Sequence, residues 1–254
     1  MKVLILAAGS GTRLKDLTKI NPKCLVEVNN KPLLEYQLEI LKKNKLSNIY
    51  LVGGYQYKKI KYPNIKLFIN KSYASTNMVY TLFCAKEIFE DNEDVLVTYG
   101  DILYQNNIIQ KLINSKEEIS LTIDLDWKSY WEKRMDNPLL DAETLKHDLN
   151  FNIKELGKKP KSYSEINGQY MGLIKIRADI AKNIFQIWDE MDRKKIYDGK
   201  NYNNMYMTTF LQHLIDIGIT VKGLPVHGGW AEIDTPLDIR VAEEMISTKQ
   251  LNFT

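Results

Sequence analysis

Cysteine and histidine are scarce in this chain, with two and three copies among 254 residues. Cys24 and Cys84 have no metal-type spacing and fit a reducing compartment, so a disulfide framework is excluded. His147, His213 and His227 stand alone, and a histidine-based metal centre is not expected. No window approaches the ~20 apolar residues of a membrane span. The N-terminal apolar run stops at Gly9, too early for the core of a secretory signal. A net charge of +3 is small and dispersed, which argues against a nucleic-acid partner. The lysine clusters at 42, 43 and 45 and at 58, 59 and 61 read as solvated faces. What remains is the expectation of a soluble, cytoplasmic chain without membrane or nucleic-acid partners. Its 44% hydrophobic and 26% charged residues are close to globular averages.

Against these absences stands the opening, MKVLILAAGSGTRLKDLTKINPKCLVEV. Val3 to Ala8 is a continuous apolar run, and it ends in Gly9, Gly11 and Arg13, with Lys23 following Pro22. Two familiar glycine loops do not match. A dinucleotide fingerprint needs a third glycine, and a P-loop needs the glycine of its Gly-Lys pair; both patterns meet Leu14 instead. The physical content survives. Glycines at 9 and 11 let backbone approach a ligand, and successive N–H groups there form an anion nest. Arg13 and Lys23 bring fixed positive charge to the same strand end. The plain alternative is a strand-to-helix turn with two surface cations.

Strand and helix patterns alternate through the first half. NIYLVGGY, IKLFIN and DVLVTYGD read as strands; KPLLEYQLEILKKNK, NMVYTLFCAKEIF and NNIIQKLINSK read as helices. This rhythm predicts an α/β, doubly wound, mostly parallel sheet. Ligands of such sheets bind beyond the carboxyl ends of strands, where Gly9, Gly54 and Asp101 fall. The middle is less regular, and 125–175 is expected to be a small α+β insertion covering the ligand edge. Near the C-terminus Thr235 reads as a helix N-cap with Pro236 at the first position and Asp238 in a box-like spacing. Asp234 then stands just outside a helix start. With no internal repeat and no linker, residues 1–254 are expected to form one domain.

Asp101 and Asp234 share a setting, each between an apolar strand and a helix start. Two such carboxylates on one sheet suit a hard cation such as Mg²⁺, bound together with substrate phosphates. The alternative is that each merely caps its helix. With the glycine loop, Arg13 and Lys23, the set points to polyphosphate chemistry.

LAAGSGTRL followed by TKINPKCLVEVNNKPLLEYQLEIL resembles the opening of the nucleotidyltransferases that activate sugar phosphates and phosphocholine. YGDILY is similar to that family's first metal-aspartate segment, GKKP with GQYMGLIKI to a later pair of motifs, and WAEID to the second metal segment. The resemblance implies a Rossmann-like nucleotidyltransferase fold, similar to that of GT-A glycosyltransferases. It implies that backbone at Ala7, Ala8, Gly9 and Gly11 holds the nucleotide. Arg13 would bind the departing phosphates, Lys23 the reacting ones, and Asp101 and Asp234 a Mg²⁺ ion. Gly54, Tyr55 and Asn77 would flank the base or ribose, although Asn77 equally suits a helix cap.

The base-reading stretch of the sugar enzymes is replaced here by SYASTNMVYTL, which is similar to phosphocholine cytidylyltransferases and implies CTP as donor. PKCLVEV, TNMVYTLFCAK, NPLLDAETLK, ELGKKPKSY and NMYMTTFLQ resemble the branch acting on phosphorylated L-glutamine in capsular phosphoramidate synthesis. An amino-acid acceptor needs a cation for its carboxylate and an anion for its ammonium. Arg134, Lys158 or Lys159, and Glu155 or Glu232 are the candidates. Tyr170, with Trp127, Trp131 and Trp230, would instead offer an aromatic cage to a choline-type acceptor. Aminoethylphosphonate and sugar 1-phosphates are further alternatives. Two rivals have other chemistries. Asp124-Leu125-Asp126 matches the Asp-x-Asp of metal-dependent glycosyltransferases, and a nucleotide-binding regulatory domain would share the fold without turnover.

Overall fold

The computed structural model describes residues 1–253. In chain order the strands are β1 (Lys2–Ala7), β2 (Glu27–Val28), β3 (Lys31–Pro32), β4 (Ile49–Gly53), β5 (Ile65–Ile69), β6 (Val95–Tyr99) and β7 (Ile102–Tyr104). There follow β8 (Ile119–Asp124), β9 (Leu145–His147), β10 (Ile153–Leu156), β11 (Gln169–Ile176), β12 (Val221–Val226) and β13 (Trp230–Glu232). The α-helices are α1 (Leu33–Lys43), α2 (Met78–Phe83), α3 (Asn106–Asn114), α4 (Trp127–Arg134), α5 (Ala178–Asp189), α6 (Met207–Asp216) and α7 (Pro236–Ser247).

Seven strands make the central sheet in the order β12-β8-β11-β6-β1-β4-β5. All neighbours are parallel except around β11, which runs antiparallel to both β8 and β6. The mostly parallel, doubly wound sheet expected from the alternating pattern is therefore present. Its strands are continuous apolar runs because both faces are covered. Val3 and Ile5 face one hydrophobic cluster, with α1, α3, α4 and α7; Leu4 and Leu6 face the other, with α2, α5 and α6.

Three details differ from the pattern. The helix expected across 77–89 stops at Phe83, and a separate 3₁₀ turn follows at Lys86–Phe89. The insertion expected at 125–175 ends earlier, because Gln169–Ile176 is the antiparallel strand in the middle of the sheet. Asp101 is not beside a helix start. The chain first forms β7, which pairs antiparallel with β13 in the register Ile102 to Glu232 and Leu103 to Ala231. That small ribbon brings the centre of the chain against its C-terminal region. The Ile233 N–H donates to the Asp101 carbonyl at 3.0 Å, so Asp101 and Asp234 become neighbours across 133 positions.

Candidate active site

The loop after β1 turns through Gly11, whose φ of +62° lies in the left-handed region that glycine enters at no steric cost. A Cβ there would meet the Thr18 Cγ2 at 3.1 Å and the Lys23 Cβ and Cγ at 3.2 Å. The glycine thus leaves room for the Lys23 stem to pass under the loop. Lys23 begins a 3₁₀ turn after the extended Pro22, and its ammonium lies between two carboxylates. It donates to Asp101 Oδ2 at 2.6 Å and to Asp234 Oδ1. From the exposed rim Arg13 reaches Asp234 Oδ2 at 2.8 Å.

Neither aspartate is a helix cap. Asp101 stands in the β6–β7 turn, five residues before α3 begins. At α7 the cap is Thr235, in a reciprocal capping box with Asp238, as its spacing predicts. The Asp234 N–H donates to Asp238 Oδ2 at 3.0 Å, which fixes its backbone and leaves its carboxylate to the site. Glu232, two positions earlier, completes a triad with oxygens of Asp101, Glu232 and Asp234 all within 4.8 Å of one another. Asp101 Oδ1 is buried without a hydrogen-bond partner. An orphaned carboxylate oxygen beside two further carboxylates is the donor set of a hard divalent cation, so the residues fit one.

The electrostatics are those of crowded, partly desolvated charge. Burial, with Asp234 adding repulsion, pushes the Glu232 carboxyl up to about 7. Burial also opposes ionisation of Asp234, but Lys23, Arg13 and Arg134 outweigh it and hold that carboxyl below its usual range. Burial works against the Lys23 charge too; Asp101, Asp234 and Glu232 overcome it and raise the ammonium well above an ordinary lysine.

A cavity of about 570 Å³ opens over this cluster, lined by Gly9, Gly11, Arg13, Lys23, Asn77 and Tyr170 among others. Ala7, Ala8, Gly54 and Tyr55 are not among the residues that line it. Gly54 packs so closely that a Cβ would lie 2.6 Å from the Ala8 carbonyl oxygen. The Tyr55 hydroxyl donates to the Lys19 carbonyl. Asn77 does cap α2, its Oδ1 accepting the Met78 N–H at 2.8 Å, while its residue still borders the cavity. Of the aromatic candidates, Trp131, Tyr170 and Trp230 line the cavity and Trp127 does not.

Four acceptor candidates are corrected. Arg134 is buried beneath the triad with its Nε on Asp238 at 2.7 Å and its Nη1 on Glu232 at 3.2 Å, so its guanidinium is committed to protein carboxylates. Lys158 and Glu155 pair with each other at 3.0 Å outside the cavity. Lys159 donates to the Leu140 carbonyl. The Asp-x-Asp reading fails as well. Asp124 is fully buried and accepts from Trp230 Nε1, the Gly228 N–H and the Asp126 N–H, each at 2.9 Å. Its carboxylate staples the β12–β13 loop to β8 and does not reach the cavity.

Sequence reasoning placed Glu232 with the substrate and missed it as a third member of the carboxylate triad. Residues i and i+2 share a face of an extended segment, so the spacing in WAEID carried that signal. Glu143, Gln169 and Thr208 also line the cavity and went unnamed, since an irregular stretch and two ordinary polar residues give no periodic clue.

Residues 3–130 match the family model of the MobA-like NTP transferase domain. The chain is 44% identical over 253 residues to a CTP:phosphoglutamine cytidylyltransferase of Campylobacter jejuni, covering 96% of this chain and all of that one. It is 47% identical over 120 residues to a choline-phosphate cytidylyltransferase of Streptococcus pneumoniae, covering 45% of this chain and 51% of that one. Among solved structures, a CTP:phosphocholine cytidylyltransferase from Streptococcus pneumoniae superposes with a TM-score of 0.71 at 24% identity, covering 96% and 98% of the two chains. An inositol-1-phosphate CTP transferase from T. maritima gives 0.75 at 21%, covering 100% and 97%. These two likenesses establish the fold. Enzymes of this kind generally use divalent metals, in keeping with the carboxylate triad. The chain belongs to the MobA-like NTP transferase family and is a nucleotidyltransferase.

Proposed function

We propose that this enzyme transfers a cytidylyl group from CTP to a small phosphorylated acceptor, L-glutamine phosphorylated on its amide nitrogen, and releases pyrophosphate. One observation carries the reaction type: Lys23 and Arg13 converge on the triad of Asp101, Glu232 and Asp234 at the end of a glycine loop. The identity to the phosphoglutamine enzyme over nearly the whole chain supports the acceptor.

In this reading a phosphate oxygen of the acceptor attacks the α-phosphorus of CTP. The new P–O bond forms as the bond from the α-phosphorus to the β-bridging oxygen breaks, and pyrophosphate leaves with that electron pair. The nucleophile is already ionised, so no side chain need remove a proton. The barrier is largely electrostatic, an anion approaching a polyanion, and positioned cations lower it. Backbone at Gly9 and Gly11 faces the triphosphate. Lys23, held on the cavity floor, neutralises charge shared between the α-phosphate and the acceptor. Arg13, 63% exposed at the rim and ion-paired with Asp234, would exchange that partner for the departing phosphates. Asp101, Glu232 and Asp234 would hold Mg²⁺, which supplies Lewis-acid stabilisation of the reacting phosphate. Among the described residues no helix is long and apolar enough to cross a membrane. We place the reaction in the cytoplasm, with the product destined for capsular polysaccharide.

The test is pyrophosphate release with Mg²⁺, crossing CTP, UTP, ATP and GTP against phosphoglutamine, phosphocholine, aminoethylphosphonate and glucose 1-phosphate. Release confined to CTP with phosphoglutamine is the expected result. Release with phosphocholine would favour the second reading, which Trp131 and Trp230 in the cavity wall and the choline-phosphate relative support. Silence with every pair would overturn nucleotidyl transfer to these acceptors.

A further inference from the structure

An amino-acid acceptor presents an ammonium and a carboxylate on one carbon, so the two must be read by adjacent protein groups. The cations lining the cavity are Arg13 and Lys23, and both are engaged at the carboxylate triad. Neither is then available to the amino-acid head. Elsewhere on the cavity wall stands Glu143, half-buried and without an ion pair among the described residues. Its Oε1 lies 3.5 Å from the Thr208 hydroxyl, and its backbone is tied to Gln169 through two hydrogen bonds. Desolvation by burial holds its carboxyl above the usual range, and the Thr208 hydroxyl and the Lys159 charge offset this only in part.

Thr208 lies in the first turn of α6, a ten-residue helix whose N-terminus no side chain caps. The Met207 and Thr208 N–H groups find no partner among the described residues, and both residues line the cavity. Tyr170 lines the same cavity, its ring edge-to-face with that of Tyr99 at 5.8 Å between centroids. Gly157, at φ +85°, lets the β10 loop press on this turn; a Cβ there would meet the Thr208 Cβ at 2.7 Å. Three stretches that the sequence singled out, NPLLDAETLK, ELGKKPKSY and NMYMTTFLQ, therefore meet at one spot that the phosphate chemistry leaves unused.

Building on the phosphoglutamine reading, we infer that Glu143 is the specificity-determining residue that binds the α-ammonium of the acceptor. An ammonium that donates hydrogen bonds suits Glu143. A trimethylammonium has no N–H to give and gains less there.

The experiment compares steady-state kinetics on phosphoglutamine and on its desamino analogue, phosphorylated at the same amide, in wild type and Glu143→Gln. CTP affinity is measured separately by calorimetry. Wild type should prefer the amine-bearing acceptor by roughly 100-fold in kcat/KM, since removing one partner of a desolvated ion pair is costly. Glu143→Gln should lose that preference through KM, with CTP affinity unchanged. A wild-type enzyme indifferent to the amine, or a Glu143→Gln variant that keeps the preference, would overturn this inference and leave cytidylyl transfer to phosphoglutamine standing. The wild-type comparison decides the matter even if the variant fails to fold. An enzyme inactive on phosphoglutamine yet active on phosphocholine would remove the acceptor reading itself, and this inference with it.

Discussion

At the scale of single residues, the ammonium of Lys23 stands where three carboxylates would otherwise repel one another. Lys23→Ala should therefore have two separable effects. Turnover should fall by roughly 100- to 1,000-fold, the range for losing one electrostatic donor from a preorganised site. The variant should also melt below wild type without divalent cation, and the gap should narrow when Mg²⁺ is added, because the cation takes over the neutralising role. Pyrophosphate release and melting curves with and without Mg²⁺ check both effects; a gap that ignores Mg²⁺ would exclude a metal at the triad. Asp124 is the contrasting case, another aspartate placed at a strand end. Asp124→Asn weakens up to three hydrogen bonds, so it should cost about 1–3 kcal/mol of stability and leave kcat at a permissive temperature within a few-fold of wild type. Chemical unfolding and initial rates measure the two quantities. Asp101 and Asp234 were legible because each follows an apolar run and sits in a recognisable stretch. Glu143 was not, because its value depends on Thr208, 65 positions away, and no local pattern encodes that meeting.

At the scale of elements, α7 does more than cover one face of the sheet. Its capping box holds the N–H of Asp234 and of Thr235 on the Asp238 carboxylate, at 3.0 and 2.7 Å, and Arg134 clamps that carboxylate from α4. Helix start and carboxylate triad are thus one structure. Thr235→Ala should cost about 1 kcal/mol of stability, as for other caps. It should also lower kcat more than it raises the KM for CTP, because it loosens Asp234 while leaving the glycine loop untouched. A purely stabilising cap would leave kcat unchanged once the protein is folded, and kinetics well below the melting temperature separate the cases. The box was readable from Thr235, Pro236 and Asp238 alone, since capping is a local contract among four residues. The β7–β13 ribbon was not. Three-residue strands have no period to detect, and their pairing is dictated by chain segments more than 120 positions apart.

At the scale of the whole molecule, the sheet interleaves the two halves of the chain. Strand β11 enters between β8 and β6, and β12 closes the edge beside β8, so strands from 119 onward continue the sheet begun at Lys2. The antiparallel direction of β11 explains why the insertion's end was misplaced: GQYMGLIKI follows a polar loop and shows no helix that would mark a crossover, so the sequence reads it as part of the insertion. Hydrophobic clusters on both faces draw from both halves too. Val3 and Ile5 share one cluster with Trp230 and Met245, while Leu4 and Leu6 share the other with Phe210 and Val221. A chain wired this way has no seam at which one half keeps its core after the other is lost. Urea unfolding followed by far-ultraviolet circular dichroism and by tryptophan fluorescence should therefore give coincident transitions. The fluorescence probe is well placed, since Trp127, Trp131 and Trp230 lie in the first cluster and Trp188 in the second. Separate midpoints would mean that 125–168, or another segment, folds as its own unit. Coincidence would support the proposal of one domain whose candidate active site draws on Gly9 at one end of the chain and Asp234 near the other.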